Sequence, residues 1–157
     1  MPKRLGTKIL AVLLGLVSAW AAATLAADFK PYPGAKIDAA ITKEARQAAA
    51  QSPFQVQGMV PTVYLTNAPF EKVAAFYRGL GREYKMPGSQ GRTPKKLPGG
   101  QELKEAFFIF DGAKDLLSSR RWVKVQHPFI GGMKMVGHTP QFQDIREVTV
   151  IILSATQ

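Results

Sequence analysis

Two histidines bracket two methionines in the segment HPFIGGMKMVGH, His127 to His138. Imidazole and thioether together suit Cu(I). Met133 and Met135 stand two apart, a spacing that puts both sulfurs on one face of an extended strand. A metal reading of this Gly-rich connector takes His127, Met133, Met135 and His138 as ligands, with Lys134 as an unhelpful positive charge among them.

A second constellation is electrostatic. Arg92, Lys95 and Lys96 share one stretch with no acid among them, and Arg120, Arg121 and Lys124 surround the start of a strand. With Trp122 as an interfacial aromatic, the two groups suit the phosphates or carboxylates of an anionic lipid or polymer.

Nucleophilic and acid-base catalysis find few parts. The chain has no Cys, which removes thiol nucleophiles, disulfides, thiolate zinc sites and acylated-Cys anchors together. Its Ser residues, at 18, 52, 89, 118, 119 and 154, sit in no G-x-S-x-G elbow, and Ser118-Ser119 before Arg120-Arg121 reads as a solvated loop. Glu102, Glu105, Asp111 and Asp115 are the carboxylates a glycosidase-like pair would draw on, but they flank one strand-to-loop edge, where exposed charge is the ordinary outcome. No phosphate-binding or dinucleotide-binding glycine motif is present. The expectation is no enzyme and no cofactor.

The elements that must position these residues are legible in the periodicity. DFKPYPGAKI, Asp28 to Ile37, holds Pro31, Pro33 and Gly34 and predicts an extended lead-in ending in a turn. Asp38 predicts an N-cap for a helix through Gln51, with a thin apolar stripe of Ile37, Ile41, Ala45 and Ala48 that packs lightly. Phe54 to Thr66 alternates like a strand, broken or bulged near Gly58 and Pro61. TNAPFEKVAAFYRGLG, Thr66 to Gly81, predicts a helix capped by Asn67 and stopped by Gly81. Its apolar face is Phe70, Val73, Ala74, Tyr77 and Leu80. Arg82 to Met86 predicts a short strand, and Pro87 to Gly100, with seven Gly or Pro, a loop. Leu103 to Phe110, Arg121 to Gln126 and the strongly apolar Ile145 to Leu153 predict further strands, the last one central. The fold class is α+β: a mostly antiparallel sheet of about four to five strands with one or two helices on one face. The regular strand-helix alternation of a doubly wound sheet is absent.

The chain has 157 residues, with 21 Lys plus Arg against 11 Asp plus Glu, a formal +10 that invites a nucleic-acid or anionic-membrane partner. The first segment redirects that reading. Lys3, Arg4 and Lys8 precede nineteen uncharged residues, Ile9 to Ala27, whose end carries small residues at Thr24 and Ala26. That is the layout of a Sec-type signal peptide over residues 1–26, with a rival reading of residues 9–27 as an uncleaved inner-membrane anchor. Residues 27–37 are then the lead-in and residues 38–157 one α+β domain. From Asp28 onward 18 basic residues meet 11 acidic ones, about +7. An exported basic domain meets no nucleic acid; its partners are an envelope protein or an anionic envelope component, in the periplasm or outside the cell.

At YPGAKI (Tyr32 to Ile37), TNAPFEKVAAFYRGLG and WVKVQHPFIG (Trp122 to Gly131), followed by IREVTVIIL, the chain resembles small exported bacterial proteins of uncharacterised function. In these a YPGA lead-in precedes a strand and an F-E-K-V-x-x-F-Y helix. The resemblance implies export and a compact α+β domain, and it carries no catalytic residue. The function expected is that of a non-enzymatic binding or accessory protein of the cell envelope.

Overall fold

A computed structural model of the chain describes residues 28–53, 58–87 and 95–157. The signal or anchor segment within residues 1–27, the strand start at Phe54 to Gln57, Ser18, Ser89 and the basic residue Arg92 lie outside the described residues.

In chain order the elements are β1 (Lys36–Ile37), α1 (Ala39–Gln51), β2 (Met59–Thr66), α2 (Phe70–Arg78), β3 (Arg82–Tyr84), β4 (Lys95–Lys96), β5 (Glu102–Ile109), β6 (Arg121–His127), β7 (Phe129–Val136), β8 (Thr139–Arg146) and β9 (Thr149–Thr156). The α+β class and the antiparallel sheet are as the periodicity predicts. The strand count is not: nine strands stand among the described residues where four or five were expected. Seven form one antiparallel sheet in the order β1-β2-β9-β6-β5-β3, with β4 beside the start of β5, and β7 and β8 form a separate two-stranded ribbon. The β-branched run of β9 is central, paired to β2 on one side and β6 on the other. IREVTVIIL is not a single strand, however. Ile145 and Arg146 end β8, and the chain turns through Glu147 and Val148 before β9 begins.

Because side chains alternate along each strand, the sheet has two faces, and each buries its own cluster. One face holds Tyr64, Ala106, Phe108, Val123, Val125, Ile151 and Leu153 under Val73, Ala74 and Tyr77 of α2. The other holds Val63, Val150 and Ile152 beneath Ile41 and Ala45 of α1. The two helices therefore cover opposite faces, which corrects the expectation of helices on one face. Consecutive residues such as Val63 and Tyr64, or Ile151 and Ile152, are both apolar because both sides of the central strands are covered.

The lead-in is part of the core. Phe29 stacks on Tyr77 at 6.0 Å between ring centroids and meets Phe110 edge-on, while Tyr32 packs against Phe76 at 5.3 Å. The Tyr32 N–H donates to the buried Tyr77 hydroxyl at 3.2 Å. Burial pushes the Tyr77 phenol well above its ordinary value, although the Tyr32 hydrogen bond opposes that shift.

Helix α1 starts as predicted, with the Asp38 carboxylate accepting from Ile41 N–H at 2.9 Å. Its anchoring is more polar than an apolar stripe suggests. The buried Thr42 hydroxyl accepts from Val63 N–H at 3.0 Å, and Arg46 Nε donates to the Pro61 carbonyl at 3.0 Å. These groups satisfy the part of β2 that no outer strand covers, where Pro61, lacking an N–H, also fits. Ile37 is not in the helix stripe but in β1, 58% exposed.

Helix α2 is shorter than predicted, with Pro69 and not Asn67 at its cap and no side-chain capping bond; Thr66 Oγ1 accepts from Ala68 N–H instead. It ends at Gly79 in a right-handed conformation. Gly81 serves a different need from an αL stop. A Cβ there would stand 2.9 Å from the Ile109 carbonyl and 3.2 Å from the Phe110 ring, so only glycine lets the chain pass into β3.

Candidate functional site: an apolar groove beside helix α1

The four proposed metal ligands are spread from the end of β6 along β7 to the turn after it. His127 ends β6, with Nδ1 3.3 Å from Thr149 Oγ1 and Nε2 3.3 Å from a Glu147 carboxylate oxygen. Met133 and Met135 lie on β7, on one face as their spacing predicts, and His138 is in the turn beyond it. Seven strand steps separate the ends of β7, about 24 Å if straight, so the ribbon holds His127 and His138 apart. Among the described residues no three of His, Cys, Asp and Glu gather at one point.

The basic residues divide as well. Lys95 and Lys96 pair with Leu103 and Glu102 at the start of β5, whereas Arg120 and Arg121 adjoin Ile109 and Trp122 at its far end. Arg121 reaches Asp28 at 3.3 Å on the α2 face. Lys124 points to the opposite face, where it pairs with Glu105 at 2.6 Å and stands 5.8 Å from the Phe107 ring centre. The two clusters do not form one patch among the described residues.

The carboxylates have structural partners. Partial burial works to raise the Asp111 carboxyl, but hydrogen bonds from Arg120 N–H, the Ser119 hydroxyl and Ala113 N–H outweigh it and hold the group below its usual range. The Ser118 hydroxyl and N–H, both at 2.8 Å, hold Asp115 low in the same way. These bonds tie the segment 111–119 into a fixed loop. Arg82 secures it further by donating to the Ala113 and Lys114 carbonyls.

That loop forms one wall of a concavity beside α1. On this face of the sheet α1 packs over β2 and β9, and beside it Trp122 of β6 and Tyr84 of β3 line a hollow among the described residues. A groove of about 830 Å³ results. Its floor is Met59, Pro61, Trp122, Ile152 and Ser154, its helical wall Ala45, Ala48, Ala49 and Ser52, and its opposite wall Tyr84, Met86, Pro87 and Asp115 to Leu117. The register places the floor residues on one face: Trp122 is opposite Ser154, and Ser154 opposite Pro61. Trp122 is braced by Phe107 at 6.2 Å between ring centroids. Leu117 stands at the rim, 76% exposed.

The helical wall makes the space. Ala45, Ala48 and Ala49 follow the i, i+3, i+4 spacing of an inward face, and methyl groups there cannot reach across to the strands that larger side chains would touch. Periodicity reads this stripe as light packing. What it leaves out is the consequence, that apolar strand residues opposite an alanine face remain uncovered. The sequence carries part of the signal, in an Ala-rich helix face and a tryptophan on β6.

Among the described lining residues the one carboxylate is Asp115, already bonded to Ser118, and there is no His or Lys. A second hollow, on the outer side of α1 beside Ile37, Lys43 and Arg46, measures about 540 Å³ and is formed largely by outward helix residues. Among the described residues no helix is long and apolar enough to cross a membrane. Compared with known proteins, the chain matches no protein-family model, no curated protein and no solved structure.

Proposed function

We infer that the protein is an exported, non-enzymatic binding protein of the cell envelope, and that it takes the acyl chain of an envelope lipid into the groove beside α1. The observation that carries this reading is the lining: among the described residues it is alanine, methionine, leucine and two aromatic rings over about 830 Å³, with polar groups from Ser52, Ser154, Asp115 and the Tyr84 hydroxyl. That size and polarity match small-molecule sites, which are mostly apolar with a few orienting polar groups. An extended peptide fits less well. The floor strands β6 and β9 are inner strands of the sheet, so their backbone groups are taken and offer a peptide no ladder. Met59 and Met86 suit an occupant of variable shape, because thioether side chains repack easily. Export is supported by the charged and apolar layout of residues 1–27, and by the resemblance to exported bacterial proteins.

Trp122 makes the test direct, because the only other tryptophan is Trp20 in the signal segment. Titration with a long-chain fatty alcohol is expected to shift Trp122 emission to the blue and saturate. Ala49→Phe, which puts a ring into the groove, is expected to abolish the response while leaving the thermal midpoint at or above that of the wild type. A response untouched by Ala49→Phe would place the alcohol elsewhere and defeat the assignment.

A further inference from the structure

The distal half of the β7-β8 ribbon, Gly132 to Gln143, includes none of the described residues that line the groove. Its base is fixed: Phe129 is buried against Val63 and Val150, and the Arg146 guanidinium lies 4.3 Å from the Phe129 ring centre. Beyond Gly131 the ribbon projects. The register puts Met133 opposite Phe142 and Met135 opposite Pro140, so one face of the distal half is an unbroken apolar plate. Met133 is 62% and Met135 54% exposed. The other face carries Lys134, opposite Gln141, and Val136, 49% exposed, opposite Thr139. From Gly132 to Gln143 there is one lysine, one histidine and no acid.

We propose that the distal ribbon is a membrane-contact device, whose Met133, Met135 and Val136 enter the interfacial layer of a bilayer rich in anionic lipid. A two-stranded ribbon is marginal in water unless something covers its apolar side. Apolar groups on both faces of the tip decide between occupants. A second copy laid plate to plate covers the methionine face and leaves Val136 wet, whereas a bilayer surrounds the tip on every side. Charge agrees, since the acid-free tip and the excess of 18 basic over 11 acidic residues from Asp28 onward favour an anionic surface. Lys134 has a stem long enough to keep its ammonium among phosphates while its neighbours bury. Among the described residues no further strand pairs with the outer edges of the ribbon, so entry stops at the headgroup boundary and does not become a span.

The absence of native cysteine allows one label per chain. Met135→Cys carrying an environment-sensitive fluorophore, in the full chain, is expected to shift blue with vesicles containing phosphatidylglycerol. It should not shift with vesicles of phosphatidylcholine alone, and the shift should weaken as salt rises. The same label at Lys72→Cys, on the solvent side of α2, stays polar, which separates ribbon entry from anchoring by residues 1–27. Adding Met133→Asp to the labelled chain should weaken vesicle affinity about tenfold or more, the factor that ~1.4 kcal/mol represents. Its near-ultraviolet circular dichroism from Trp122 should be unchanged, because position 133 touches no core. Three results overturn the proposal: no shift at 135 with anionic vesicles, an equal shift on neutral ones, or a shift that grows with protein concentration before any vesicle is added. The last would identify a second copy as the occupant.

Discussion

Thr42→Val tests whether α1 is hung on the sheet by a side-chain hydroxyl. Thr42 is 6% exposed, and its Oγ1 accepts the Val63 N–H at 3.0 Å and lies 3.4 Å from the Val63 carbonyl, a marginal contact. Valine replaces the hydroxyl with a methyl of similar size, so no cavity opens. What is lost is one hydrogen bond, and a buried N–H is left without a partner at a site that strand pairing does not serve. Such an orphaned group costs roughly 1–3 kcal/mol. Taking about 2 kcal/mol and a urea slope near 2 kcal/mol/M, the unfolding midpoint falls by about 1 M with the slope unchanged. Thr42→Ser keeps the hydroxyl and loses only a methyl, about 0.8 kcal/mol, so it sits between wild type and valine. Amide exchange supplies the local readout: Val63 N–H should exchange markedly faster in Thr42→Val and stay protected in Thr42→Ser. A valine variant with the wild-type midpoint, or with Val63 as slow to exchange as before, refutes the role given to this hydroxyl.

Gly81→Ala gains about 0.4–1 kcal/mol from a stiffer unfolded chain, but its Cβ would sit 2.9 Å from a backbone oxygen that cannot swing away. Overpacking at about 1–3 kcal/mol outweighs the gain, so a lower thermal midpoint is expected, and a raised one contradicts the close approach. For Asp111 the sign follows from a folded carboxyl held below its ordinary 3.8. The stability it lends is whole above that ordinary value and is lost as pH falls through the lower folded one. Asp111→Ala should therefore narrow its deficit against wild type as pH drops from 6 toward 2 in chemical denaturation. Parallel curves over that range would show that the loop bonds do not discriminate between protonation states.

Local chemistry made some elements readable and others not. The Asp38 cap, the apolar face of α2 and the centrality of β9 follow from capping groups, 3.6-residue spacing and β-branched density, each a property of the segment itself. The ribbon is different. Its two strands contain Gly131, Gly132 and Pro140, residues that weaken any isolated strand, and only their cross-strand register makes them one. The short strands β1, β3 and β4 have two or three residues each and exist because longer neighbours offer an edge. Phe29 and Tyr32 sit among prolines that announce an irregular arm. Their place beside Tyr77 depends on where α2 lands, and no pattern within the arm encodes that.

The site follows the same division, and the reason bears on function. Residue types that suggest chemistry drew attention to His127, His138 and the basic clusters, but a strand separates side chains by about 3.4 Å per residue, so nearness in sequence becomes distance in an extended ribbon. The groove arises from the reverse situation. Ala49, Trp122 and Leu117 come from segments with no sequence relation and carry no reactive group, yet the fold sets helix, sheet and loop around one apolar space. That space is costly to leave wet. Enlarging Ala45, Ala48 and Ala49 to leucine would let the helix wall fill it and bury Trp122 more deeply, a stabilising change by area alone. An alanine wall facing Trp122, Met59 and Ile152 forgoes that gain, as binding surfaces do when they trade stability for access. If the triple leucine variant is more stable than the wild type and no longer responds to the fatty alcohol, the groove is space kept open for a ligand at the expense of packing.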